Sequence, residues 1–148
     1  MENYSTVSTD TINDLIRINN DRIAGYQKAL DELKGKNEFD LETLFAEIIH
    51  QSETFKSELQ GFTDEPVEDE TTMSGKIYRG WMDIKAIFTG HDRKTILSNC
   101  EGGEDAAKKA YKEALSEDLP AEVKDVVLEQ QAAQMVIHNR IKALRDNA

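Results

Sequence analysis

An apolar seam that advances by steps of three and four residues, repeated four times, constrains this chain more than any other feature. It runs through Ile12, Ile16, Asn19, Ile23, Tyr26, Leu30 and Leu33, and again through Leu41, Phe45, Ile48, Ser52, Phe55, Leu59 and Phe62. The third passage is Ile96 or Leu97, Cys100, Glu104, Ala107, Tyr111 and Ala114. The fourth is Val123, Val127, Gln130, Gln134, Ile137, Ile141 and Leu144. Each seam is broken near its middle by a polar residue: Asn19, Ser52, Glu104, and Gln134 with Gln130 before it. Four long amphipathic helices meeting in one core follow from the repeat. A polar layer in such a core is where a bundle would hold a metal or cofactor.

Local signals set the boundaries. Thr9 or Asp10 can cap the first helix, expected over about 9–34 and stopped by Gly35. Asp40 can cap the second, about 40–62, which the short link makes an antiparallel neighbour of the first. Residues 63–74 form an acidic linker. Ile77, Trp81, Ile84 and Phe88 then give a short amphipathic helix over 75–89, with Trp81 as its anchor. Asp92 caps the next long helix, 92–115, and Pro120 fits the first turn of the last, 120–146. The connection between the second and third long helices is long. A 25-residue helix spans roughly 38 Å, which extended linker plus short helix can cross, so an overhand crossover is expected over a plain up-down bundle.

Composition narrows the function. A chain of 148 residues is ordinarily one domain with a real core, and we take 1–148 as a single helical-bundle domain. A net charge of -11 disfavours nucleic acid and anionic membranes. No apolar stretch approaches the roughly 20 residues of a membrane span. The opening residues carry no basic segment followed by an apolar run, so no signal peptide is expected. One cysteine permits no internal disulfide, which suits a cytoplasmic protein.

Several runs resemble an uncharacterised bacterial family of ferritin-like four-helix-bundle proteins. They are Asn19-Asn20-Asp21-Arg22-Ile23-Ala24-Gly25-Tyr26, Arg79-Gly80-Trp81-Met82-Asp83-Ile84-Lys85, Cys100-Glu101-Gly102-Gly103-Glu104-Asp105-Ala106 and Asp118-Leu119-Pro120-Ala121-Glu122. The resemblance extends from about Thr11 to Asp146. It implies an all-α, ferritin-like bundle with a crossover helix, a stress-related role by the look of the family, and no activity.

Ferritin-type di-iron centres draw a Glu from each of two helices and a Glu-x-x-His pair from each of the others. The second helix does contain Glu47-Ile48-Ile49-His50, but its seam passes through Phe45, Ile48 and Ser52, which turns Glu47 and His50 outward. Asn19 stands where the first helix would offer a carboxylate. In the last helix Ile137 stands where the imidazole would be, and His138 is one step around. Only Glu104 is an inward carboxylate. An unpaired buried carboxylate is costly, and Asn19, Ser52 and Gln134 carry donors enough to satisfy Glu104 if they meet. The layer therefore reads as a hydrogen-bonded network fixing helix register.

Cys100 lies on a seam and reads as a small core residue. Gly102 and Gly103 inside a helix suggest close approach of another element or a kink. His91 falls in a solvated turn. Ile18, Ile49 and Val136 lie off the seams as a second apolar surface, for a dimer interface or for burial under the crossover. The expectation is a metal-free, cofactor-free, non-enzymatic cytoplasmic module, with a homo-oligomer or protein partner left open. Two alternatives stand beside it. One is an iron or manganese site around Glu104 that recruits His138, Glu47 or His50; the other is a small-ligand binder using the polar layer.

Overall fold

The computed structural model describes residues 6–64, 66 and 92–148. Four α-helices account for most of them, and no strand occurs among the described residues: α1 (Thr6–Leu33), α2 (Phe39–Gln60), α3 (Arg93–Leu115) and α4 (Ala121–Asp146). The expected helix over 75–89, with Trp81, and His91 lie outside the described residues, as does most of the 63–74 linker.

Local chemistry explains the ends. The α1–α2 turn places Gly35 at φ +78° and Asn37 at φ +58°, the left-handed region that glycine adopts freely and asparagine tolerates. Asp92 caps α3 as expected, its side chain accepting from the Thr95 amide at 2.9 Å. Two boundary expectations are corrected. α1 starts at Thr6, before Thr9 and Asp10. Glu38, not Asp40, precedes α2 and makes no side-chain cap. Asp40 sits in the first turn instead, where Arg93 draws its carboxylate away.

α1 packs against α2 and α3, and α4 packs against α3, with a slighter contact between α2 and α4. The apolar core is two clusters. One gathers Ile12, Leu15, Ile16 and Ile18 of α1 with Leu59, Ala107, Tyr111, Val123 and Val127. The other gathers Tyr26, Ala29 and Leu33 with Leu41, Phe45, Ile48, Ile96, Leu97 and Ile141. The membership fixes the helix directions. α1 and α4 run from the first cluster to the second, whereas α2 and α3 run the other way. Arg93, opening α3, accordingly donates to Glu38 at 2.6 Å and to Asp40 at 2.9 and 2.8 Å, at the start of α2. Thr63, just past α2, therefore lies at the opposite end from Asp92, just before α3.

Of the off-seam residues, Ile18 is fully buried and belongs to the first cluster. Ile49 is partly buried against the second cluster, and Val136 is exposed. The three do not form one surface. Conversely Ile23, placed on the α1 seam by its hydrophobicity, is only half-buried, and the position beside it turns inward instead.

Candidate functional site

Between the two apolar clusters lies a layer of buried polar side chains, and a residue absent from the expected set is at its centre. Arg22 is fully buried, and is among the largest side chains of the described residues to be so. Its Nε donates to Glu104 Oε2 at 3.1 Å and its Nη2 to Glu104 Oε1 at 3.0 Å. This is the two-pronged geometry in which a guanidinium matches a carboxylate. Its Nη1 donates to Ser52 Oγ at 3.1 Å and to Gln51 Oε1 at 3.2 Å. Glu104 accepts two further bonds, from the Tyr26 hydroxyl at 2.7 Å and from Gln134 Nε2 at 3.2 Å. The same Gln134 amide also donates to the Glu104 carbonyl at 2.9 Å, tying α4 to α3 at this level.

A second relay lies one turn nearer the start of α1. Asn19 Nδ2 donates to the Leu15 carbonyl at 2.9 Å and to the Tyr111 hydroxyl at 3.0 Å. That hydroxyl donates in turn to Gln130 Oε1 at 2.7 Å. Gln130 Nε2 then donates to the Phe55 carbonyl at 3.2 Å and to Glu58 at 3.1 Å. All four helices contribute to the layer.

The structure thus brings Ser52, Glu104 and Gln134 into one network and buries Asn19 and Gln130 beside it. It changes who satisfies whom. Neither Asn19 nor Ser52 donates to Glu104: Asn19 turns to Tyr111, and Ser52 accepts from Arg22. The cation was hidden by a degeneracy in the helical repeat. From Asn19 the seam can pass through Arg22 or Ile23 and reach Tyr26 either way, and hydrophobicity alone selects the isoleucine. The signal that could have found it is chemical, since an inward Glu104 calls for a cation and Arg22 is one step off the seam.

Burial sets the proton affinities. For Arg22, burial works against the charge, but the Glu104 carboxylate outweighs it and leaves the guanidinium above its ordinary value. Burial, reinforced by the nearby Glu104 charge, pushes the Tyr26 hydroxyl and the Cys100 thiol well up. Burial likewise raises Tyr111. Every one of these groups holds its proton at neutral pH, so none is poised as a nucleophile or base. Two amide oxygens, Asn19 Oδ1 and Gln134 Oε1, are buried without a hydrogen-bond partner among the described residues.

Glu47 and His50 face outward, both exposed, and Glu47 makes only a 4.0 Å surface contact with Arg140. His138 is buried, where the expectation left it beside the seam. The repeat is again degenerate, since Gln134 leads to Ile137 or to His138. It does not join Glu104. Its Nε2 lies 2.5 Å from Asp105 Oδ1, on the outer side of the α3–α4 contact. Cys100 is a buried free thiol in the second apolar cluster.

No curated protein matches the chain. One family model does, over residues 7–117, well over half of the chain. The matched stretch takes in α1, α2 and α3 with Arg22, Tyr26, Ser52, Glu104 and Tyr111, and stops short of α4 with Gln130, Gln134 and His138. The chain belongs to the family described as a domain of unknown function, DUF2383.

Proposed function

We propose that this chain is a non-enzymatic, ferritin-like helical bundle of bacterial origin that works in the cytoplasm as a structural or interaction module. The observation that carries the reading is the Arg22–Glu104 pair. In a ferritin-type centre several carboxylates surround two cations in the middle of the bundle. Here the carboxylate in the middle of the bundle, Glu104, already has its cation, covalently part of α1 and held in two-pronged geometry. A metal ion at Glu104 would have to displace a fully buried guanidinium from its carboxylate.

The ferritin-like topology is supported by helix direction. α2 and α3 begin at the same end, where Arg93 meets Glu38 and Asp40. The chain from Thr63 to Asp92 must then connect opposite ends, which is the task of an overhand crossover. The acidic charge, -11 overall, supports a role away from nucleic acid and anionic lipid. Exposed Leu128 and Val136, two turns apart on α4, support a role exercised by contact.

The test is ferrous-iron oxidation in air, followed for the purified chain and for Glu104→Gln. The reading expects no acceleration over buffer that depends on Glu104. Iron oxidation present in the wild type and abolished by Glu104→Gln would overturn it. Light scattering on the same samples measures self-association.

A further inference from the structure

Among the described residues, one cluster of metal-ligating side chains lies outside the Arg22–Glu104 network. Glu101 and Asp105 stand one turn apart on α3, and His138 faces them from α4. One ligand atom from each lies within 4.8 Å of the other two. Glu101 and His138 are 9% and 7% exposed, whereas the Asp105 side chain is 61% exposed. The cluster therefore has a buried floor and an open mouth.

We propose that Glu101, Asp105 and His138 form a binding site for a single divalent transition-metal ion, zinc by preference, on the outer side of the α3–α4 contact. An imidazole with two carboxylates is the donor set that zinc, iron and manganese share, and the imidazole counts against magnesium and calcium. Two carboxylates and a neutral imidazole carry the charge that offsets one divalent ion. Zinc sits about 2.0–2.2 Å from such ligands, which asks for ligand atoms roughly 3–3.5 Å apart. The His138–Asp105 contact must therefore open slightly, and no separation has to close by more than about 1–2 Å. Rotation of the exposed Asp105 side chain can open the first contact, and water reaches the remaining positions through the same mouth.

A second observation concerns Glu101. Its Oε2 is buried and accepts no hydrogen bond; its contact is ionic, with Arg145 Nη1. Arg145 has another anchor, donating from Nε and Nη2 to Asp146 Oδ1 at 3.2 and 2.8 Å. It can release Glu101 to an ion and remain paired. His138 is already oriented, with Nε2 toward the cluster and Nδ1 3.4 Å from Asn139 Oδ1, the two-sided arrangement that fixes a ligand imidazole.

The test titrates zinc chloride into the chelator-stripped full chain by calorimetry, with cobalt absorption as a spectroscopic readout. The proposal expects one saturable ion per chain, at least tenfold weaker binding in Asp105→Asn and His138→Gln, and altered cobalt bands in His138→Gln. Arg145→Gln, which removes the competing cation, should bind as tightly as the wild type or more tightly. His50→Gln should bind as the wild type. Asp105 is exposed, so Asp105→Asn keeps the comparison valid should His138→Gln fail to fold. Zinc binding that survives both ligand substitutions, loss of binding in His50→Gln or Arg145→Gln, or no saturable binding by the wild type would each overturn the assignment.

Discussion

Replacing Arg22 with methionine tests the centre of the fold directly. Methionine follows the aliphatic part of the arginine stem but removes the charge and all four of its donated bonds. Glu104 then keeps two of its four donors, Tyr26 and Gln134, and loses the cation it is paired with. Removing one partner of a buried ion pair costs about 3–5 kcal/mol, because the survivor is left charged in a poorly polarisable interior. A domain of this size is ordinarily stable by about 5–15 kcal/mol, so Arg22→Met should fold but unfold early. Its melting temperature should drop by on the order of 10 °C, at about 2–4 °C per kcal/mol. Glu104→Met leaves the guanidinium with only Ser52 and Gln51 and should cost a similar amount.

The double variant decides the reasoning. With both charges gone, the remaining loss is from neutral groups such as the Tyr26 hydroxyl, at about 1–3 kcal/mol for an unsatisfied buried group. The Gln134 amide still has the Glu104 carbonyl at 2.9 Å. Arg22→Met/Glu104→Met should therefore be more stable than either single variant, with a coupling of at least about 3 kcal/mol. Urea unfolding followed by far-ultraviolet circular dichroism measures all four corners of the cycle. Costs that simply add, within about 0.5 kcal/mol, would refute the ion pair as the element holding the layer. Arg22→Lys, which keeps charge but loses the fork, should fall between Arg22→Met and wild type.

Three further outcomes follow from the same geometry. Tyr111→Phe removes the hydroxyl that joins Asn19 to Gln130 and should cost about 1–3 kcal/mol in urea unfolding. The hydrogen bond from Arg93 holds the Asp40 carboxyl below its ordinary value, against the opposing effect of burial. A lowered pKa stabilises the folded state above the unfolded value near 4 and ceases to as pH falls through the lower folded value. The melting-temperature gap between wild type and Arg93→Met should therefore be full at pH 7 and narrow at pH 3. Cys100, buried with its thiol pKa pushed up first by burial and then by Glu104, should resist a disulfide reagent at pH 8 while folded and react once per chain in urea.

The helices were legible because their signal is repeated along the whole length: apolar spacing, Asp92 as a cap and Gly35 as a stop all survive in the structure. The interruptions were legible for the same reason, since a polar residue on a seam is conspicuous against its neighbours. What stayed hidden was which of two adjacent residues turns inward. A step of three and a step of four differ by about 100° around a helix, yet both keep a seam going. At Arg22 or Ile23 and at Ile137 or His138, the apolar residue was the natural choice and the polar one is the more buried. Tyr26 and Tyr111 concealed their role differently. Each is apolar over most of its surface, and only the three-dimensional placement shows the hydroxyl ending on Glu104 or between Asn19 and Gln130.

The two errors have one cause, and it bears on how such a core is chosen. Hydrophobic matching scores residues one at a time, while the cost of burying a charge depends on the pair. Alone, Arg22 or Glu104 would be among the costliest side chains to place in the interior. Together, with four donors on the carboxylate and four bonds given by the guanidinium, they form a neutral unit that demands a particular alignment of α1, α2 and α3. Sliding α1 by one residue would move Arg22 about 1.5 Å along the axis and 100° around it, breaking both prongs at once. An all-leucine layer would tolerate such a slip. The pair thus exchanges the permissiveness of an apolar layer for a single register, and it does so at the level where a ferritin-type bundle would place its metal ions.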